Sequence, residues 1–291
     1  MKQYSSTYAS WWTFCQQRNL NPFHIATQPL LSFLQHILDS SSVNFGTINS
    51  HKAALSVLVD GSFSENVVIT RFMKGVQRLR PPRARYPFVW DPAVVLDHLD
   101  SDITALPEMS KKLVILMALA TGQRVQTLSL AKTTNVRFTA EGCSIFIPDT
   151  VKHSRVGSPQ PVLTFQYFPE RSNLCVATLL KAYLEKTKEL RPSGCEKIFI
   201  TFKKPHVAAN KQTLSRWIKD VLVTSGVDTS IFSSHSTRHA SSSAAHSAGV
   251  SWDVLRLSAG WSQRSSVFAR FYKRPILEVP TLLNAVFKKQ S

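Results

Sequence analysis

Two arginines, a histidine, a tryptophan and a tyrosine stand in a fixed order along this chain. Arg124 ends Thr121-Gly122-Gln123-Arg124. His235-Ser236-Thr237-Arg238-His239 opens a second stretch, which runs through Gly260-Trp261 to Phe271-Tyr272-Lys273-Arg274. The set suits breaking and rejoining a phosphodiester. A tyrosine becomes a nucleophile as it loses its proton, and a phosphoryl transition state spreads negative charge over oxygens that guanidinium forks match. His235 could exchange a proton while Arg238 holds a non-bridging oxygen. The Trp261 indole N–H can only donate, so it can bind a phosphate oxygen but cannot take a proton. Each piece is weak alone: turn arginines are ordinarily solvated, a His-x-x-Arg pair arises by chance, and a helical tyrosine is ordinarily core.

These residues need elements to hold them. Ser110 to Ala120 reads as a buried helix, and Thr121-Gly122 breaks it just before Arg124, so a turn between two helices aims the guanidinium outward. Helices are expected over Arg238 to Ala248, ended by Gly249, and over Trp252 to Ser258, capped by Ser251. His235 and Arg238 then share one helix face at i, i+3. His239 is expected to face the core. Phe268 and Tyr272 lie at i, i+4 on a last short helix. Val136 to Pro148 and Pro161 to Phe168 read as strands around a loop, and helices follow at Leu174 to Leu190 and Gln212 to Thr224. Residues 1–80 read as a small helical bundle, with helices at Ser6 to Gln17, Leu30 to Leu38, Ile48 to Val59 and Val67 to Val76. The fold class is mainly α with a small antiparallel β-sheet, an α+β protein in two lobes.

Between the lobes, residues 81–91 are rich in proline and arginine, which denies them a helix interior. From Arg71 to Arg85 there are six basic residues and no acidic one. The bland reading is a solvated strap; the functional one is a linker along a DNA backbone that lets two lobes close on a duplex. Across the whole chain, 35 Lys and Arg oppose 18 Asp and Glu, a formal charge of +17 that marks a polyanion binder. The cysteines Cys15, Cys143, Cys175 and Cys195 are scattered, which argues against a zinc site or a disulfide framework and fits a reducing compartment. The longest apolar run, Leu113 to Ala120, is too short to span a bilayer. With no signal-peptide pattern at Met1-Lys2-Gln3-Tyr4-Ser5, the expectation is an intracellular protein with double-stranded DNA as partner and no membrane; a nuclear place in a eukaryotic host is implied only by the family resemblance given next.

The order of the boxes, and the 23-residue step from Arg238 to Trp261, resemble the tyrosine recombinase (phage integrase) family. The Ser-Thr-Arg box and the Phe-Ala-Arg-Phe-Tyr ending are most similar to recombinases of DIRS-type retrotransposons. The resemblance implies a helical core-binding domain over 1–80, a catalytic domain over 92–291, and the catalytic set Arg124, Lys152, His235, Arg238, Trp261 and Tyr272. Tyr272 would be the nucleophile. Lys152, in Asp149-Thr150-Val151-Lys152-His153, would be the mobile lysine that protonates the departing 5′ oxygen or simply offsets its charge. Two departures stand out. The family often has a carboxylate where this chain has Thr127, and the gap from Trp261 to Tyr272 is longer than usual. The implied reaction is two metal-free transesterifications through a 3′-phosphotyrosyl link, with no cofactor. This agrees with the lack of a phosphate-binding glycine-lysine loop and of a carboxylate cluster for magnesium.

DNA-backbone contacts are expected from Lys52, Arg78, Arg80, Arg83, Arg85, Lys203, Lys204, Lys211 and Arg216. The apolar positions Leu282, Leu283, Val286 and Phe287 read as an amphipathic helix over 279–289, which can cap its own domain or, as the resemblance implies, dock on a neighbouring protomer in a dimer or tetramer on DNA. Three other readings compete: a recombinase-like fold that binds DNA without cutting, a type IB topoisomerase-like enzyme, and a helix-turn-helix regulator. The last leaves Arg124, Lys152 and Tyr272 without a purpose.

Overall fold

The computed structural model describes residues 2–58, 63, 65–82, 85–151, 154, 160–260 and 276. The chain divides into two compact units, 1–85 and 86–291. The first is a four-helix cluster: α1 (Ser5–Gln17), α2 (Thr27–Ser40), α3 (Phe45–Ser56) and α4 (Val67–Leu79). Asn44 and Asn66 start α3 and α4 by accepting backbone N–H groups with their side chains. In α1, Trp11 and Phe14 pack their rings against Phe33 of α2 over Leu30, Leu34, Ile48, Leu55, Ile69 and Val76.

The second unit begins inside what the sequence suggests is a linker. Tyr86, Val89 and Trp90 are buried in its core, and α5 (Pro92–Leu99) follows, with Asp91 capping and Pro92 in the first turn. The centre is α6 (Leu106–Thr121), a turn longer at its start than its apolar run indicates and buried nearly all round from Leu113 to Ala118. Around it pack α7 (Val125–Leu130), α8 (Val176–Thr187), α9 (Lys211–Thr224) and α10 (Ser236–Ser247), with α11 (Trp252–Ser258) against α10.

The predicted strand over Val136 to Pro148 is a hairpin, β1 (Val136–Phe138) and β2 (Gly142–Phe146), and β3 (Val162–Gln166) completes a three-stranded antiparallel sheet in the order β1-β2-β3. The register pairs Phe138 with Cys143 and Ile145 with Leu163. That puts Cys143, Ile145, Leu163 and Phe165 on the face that packs on the helices. No described helix is long and apolar enough to cross a membrane.

Candidate functional site

Arg124 is placed by the end of α6. Gly122 stands just past the helix at φ +59°, a left-handed conformation that costs a glycine little, and its N–H closes the last turn on Ala118 O. Thr121 returns its hydroxyl to Met117 O (2.7 Å). The chain then reverses, and Arg124 is the residue before α7, half-buried, with its carbonyl accepting the Leu128 N–H. Thr127, standing where the recombinase pattern has a carboxylate, is buried in the first turn of α7.

Between Gly122 and Arg124, the buried Gln123 reaches across to donate from Nε2 to Ser258 O (2.8 Å), at the end of α11. Gly260, also left-handed at φ +62°, lies directly over that amide. A Cβ there would come within 3.1 Å of Gln123 Nε2. The last described residue before Trp261 is thus fitted to the residue before Arg124, a relation that nothing in the sequence pattern announces.

The His235–Arg238 stretch is a tight turn leading into α10. His235 is the residue before the helix, in helical backbone geometry (φ −71°, ψ −21°), and it is exposed. Its carbonyl accepts the Arg238 N–H (3.3 Å). Arg238 is only 1% exposed, an arginine stem wholly enclosed in the first turn of a helix. His239 turns inward, with its ring 5.2 Å from that of Tyr86, edge to face, and 5.6 Å from that of His235.

The turn is braced from below. Tyr86 Oη and Ser233 Oγ share a hydrogen bond at 2.8 Å, and Trp90 Nε1 donates to Ser236 Oγ (2.8 Å). The Ser236 hydroxyl in turn donates to Ser233 O (2.7 Å). Sequence reasoning missed Tyr86 and Trp90. Their available signal was a pair of aromatic residues at i, i+4 amid basic and proline residues, masked by the reading of that stretch as linker.

Two further hydrogen bonds hold the arginine-bearing turns in one framework. Ser241 of α10 donates to Leu119 O of α6 (2.5 Å), and Gly122 lies against Ala259 and Ser241. The Arg124 turn, the first turns of α10 and the end of α11 therefore share a packed corner. Lys152, Trp261, Tyr272 and Arg83 lie outside the described residues, as does the 279–289 helix. Lys152 falls in sequence between β2 and β3. Among the described tyrosines, Tyr183 is fully enclosed, and burial holds its hydroxyl above the ordinary phenol range, so it is unsuited to attack.

The basic residues sort differently from expectation. Lys203, Lys204, Lys211 and Arg216 are exposed on and before α9, Arg85 is exposed, and Lys52 is half-buried on α3. Arg78 is not on an extended linker but in the last turn of α4, where Arg71, Lys74 and Arg78 are all exposed at helical spacing. Arg80 has a different task from the one expected. Its two terminal nitrogens donate to Leu38 O (2.8 Å), Ser41 O (2.5 Å) and Val43 O (2.9 Å), closing the end of α2. A side chain so engaged serves as an internal clamp of the first unit. Among the described residues, no cluster of His, Cys, Asp or Glu is arranged to hold a metal ion.

Comparison with solved structures finds the same fold. The XerH site-specific recombinase bound to difH substrate, in a pre-cleavage complex, superposes with a TM-score of 0.61 at 14% identity, covering 97% of this chain and 79% of that one. The Tn1549 transposon integrase in complex with transposon right end DNA gives 0.57 at 15% identity, over 83% of this chain and 79% of that one. A lambda integrase dimer bound to a COC′ core site gives 0.54 at 14% identity, over 96% and 75%. At these identities the likeness is one of fold. No curated protein sequence matches the chain significantly. The sequence profile of the phage integrase family, however, matches residues 95–275, more than half of the chain, and this chain therefore belongs to the phage integrase family.

Proposed function

We propose that this chain is a site-specific DNA recombinase that cuts and rejoins duplex DNA through Tyr272, with Arg124, Lys152, His235, Arg238 and Trp261 as its catalytic partners. The observation that carries the reading is the shared corner: Gln123 bonded to Ser258 O and Ser241 bonded to Leu119 O bring together turns that stand 114 residues apart, at Arg124 and Arg238. Two guanidinium groups from separate elements suit a phosphate approached from two sides, and the start of α10 adds its helix dipole.

In this reading the Tyr272 oxygen attacks the scissile phosphorus as its proton passes to His235, the bond to the 5′ oxygen breaks, and Lys152 supplies the proton that makes the leaving group a 5′ hydroxyl. A phosphotyrosine remains on the 3′ side. The 5′ hydroxyl of a second strand then attacks that phosphorus and restores the tyrosine, so the bond energy is conserved and no nucleotide is consumed. His235, exposed at the mouth of α10, exchanges protons with the phosphate oxygens.

The first unit is the core-binding domain and the second the catalytic domain. Assembly is a dimer or tetramer on DNA, aided by the 279–289 helix. The similarity of the Ser-Thr-Arg and Phe-Ala-Arg-Phe-Tyr boxes to DIRS-type recombinases supports a role in integrating a mobile element in a nucleus.

The test is a nicked suicide duplex carrying the element's terminal sequence, incubated with wild-type and Tyr272→Phe protein and resolved on a denaturing gel. A covalent adduct with wild type that is missing with Tyr272→Phe is the expected result. Tight binding by both without an adduct would replace this reading with that of a DNA-binding protein of recombinase fold. An adduct surviving Tyr272→Phe would mean that another residue is the nucleophile.

A further inference from the structure

The stretch from Tyr86 to Trp90 is the first part of the chain to enter the second unit, and it converges on a single turn. Tyr86 engages Ser233, both through its hydroxyl (2.8 Å) and by accepting the Ser233 N–H (3.4 Å), while Trp90 engages Ser236 (2.8 Å). These are the two corners of the turn whose exposed residue is His235 and whose next helical turn carries Arg238. The Tyr86 ring also supports His239 and Phe232, at 5.2 and 5.5 Å. Between them, Val89 is fully buried and pairs in parallel with Ile276, four residues after Tyr272 in the sequence. Burial alone would ask only for apolar side chains at these positions. What is present instead is two aromatic residues whose polar atoms are each spent on a serine of one turn.

We propose that Tyr86 and Trp90 are positioning residues for His235 and Arg238, setting the orientation of the turn rather than touching DNA. The inference rests on the strand-transfer reading above. Val89 ties the same segment to the stretch that follows the nucleophile.

Tyr86→Phe and Trp90→Phe each remove one polar atom and keep the ring, so both should fold. In single-turnover cleavage of the suicide duplex at saturating DNA, each should lower the rate between about 10- and 100-fold, as misplacement of a positioned group does. DNA affinity should stay within about twofold. Ser233→Ala added to Tyr86→Phe should slow cleavage no further, because the two act through one contact. A second readout does not need activity. In protein labelled with 15N-histidine, the ring signals of His235 and His239 should shift or broaden in both variants while those of His24 and His206 stay in place. Unchanged ring signals, or a cleavage rate within twofold of wild type, would overturn the proposal. So would a loss of affinity equal to the loss of rate. If wild type forms no adduct, the strand-transfer reading fails by itself, and the histidine signals still decide whether the two aromatic residues set the turn.

Discussion

Replacing Arg80 by Met separates two opposed roles for a basic residue at a domain boundary. The substitution keeps most of the apolar stem and deletes a guanidinium that donates to Leu38 O, Ser41 O and Val43 O. Hydrogen bonds from charged groups contribute about 1.5–3 kcal/mol each, and a cation at a helix C-terminus adds about 0.3–1 kcal/mol. The three bonds share one side chain and are not additive, and water will satisfy part of what is lost because Arg80 is half-buried. The net expectation is about 2–4 kcal/mol of lost stability in the first unit. Hydrogen exchange by mass spectrometry on the full chain reads this locally. Amides of α2 and α3 should exchange about 30- to 700-fold faster, while those of α6 and α9 keep their protection. The salt dependence of DNA binding, measured under conditions where the variant is folded, should keep its slope. If α2 exchanges as in wild type and the slope falls by about one, Arg80 is a phosphate contact and the clamp argument is wrong.

Three further outcomes are expected. Gly260→Ala places a non-glycine residue at φ +62° and a methyl group against Gln123 Nε2, so it should cost about 2–3 kcal/mol in urea unfolding, of which the contact part vanishes in a Gln123→Ala background. Arg171 bridges Asp97 and Asp100 (3.0 and 2.8 Å) and, through its hydrogen bond, holds the Asp100 carboxyl below its ordinary value of 3.8. A depressed folded-state value gives stability that is complete above 3.8 and fades as pH falls through the folded value. Arg171→Gln should therefore be less stable than wild type at pH 6, with the gap narrowing toward pH 2 in urea titrations at both. Arg216→Ala, on the exposed side of α9, should weaken binding to all DNA sequences alike and lower the salt slope by about one; a change in sequence preference instead would make it a base-reading residue.

The sequence made the helices legible wherever an apolar stripe or a cap marked them. Trp11 and Phe14 of α1, the run from Leu113 to Ala118, and Ser251 before α11 all behave as their types and spacing suggest. It misled where composition outweighed periodicity. Arginine and proline within positions 81–91 suggested a linker, yet Tyr86 and Trp90 are core, and Arg80 just before it is spent on backbone carbonyls. The Asp91-Pro92 start of α5 was readable as a cap followed by proline, but it was hidden by the same reading. Around the candidate site, residue types singled out Arg124, His235 and Arg238 as candidates. The bonds that assemble the corner, from Gln123 to Ser258 and from Ser241 to Leu119, are long-range and leave no periodic trace.

The composition of α10 makes the helix depend on its neighbour. Its sequence, STRHASSSAAHS, has no aliphatic side chain larger than alanine and is crowded with serines, which favour competing local hydrogen bonds over a free helix. Ser242 already bonds back to Arg238 O (2.7 Å), and the interhelix bond from Ser241 ends on α6. Such a segment gains little by becoming helical alone and much by lying close against a helix already in place, where small side chains let backbones approach. Arg238 is thus carried by a helix whose stability comes from its seat on α6 rather than from its own propensity, so a substitution that loosens α6 should loosen the first turn of α10 with it.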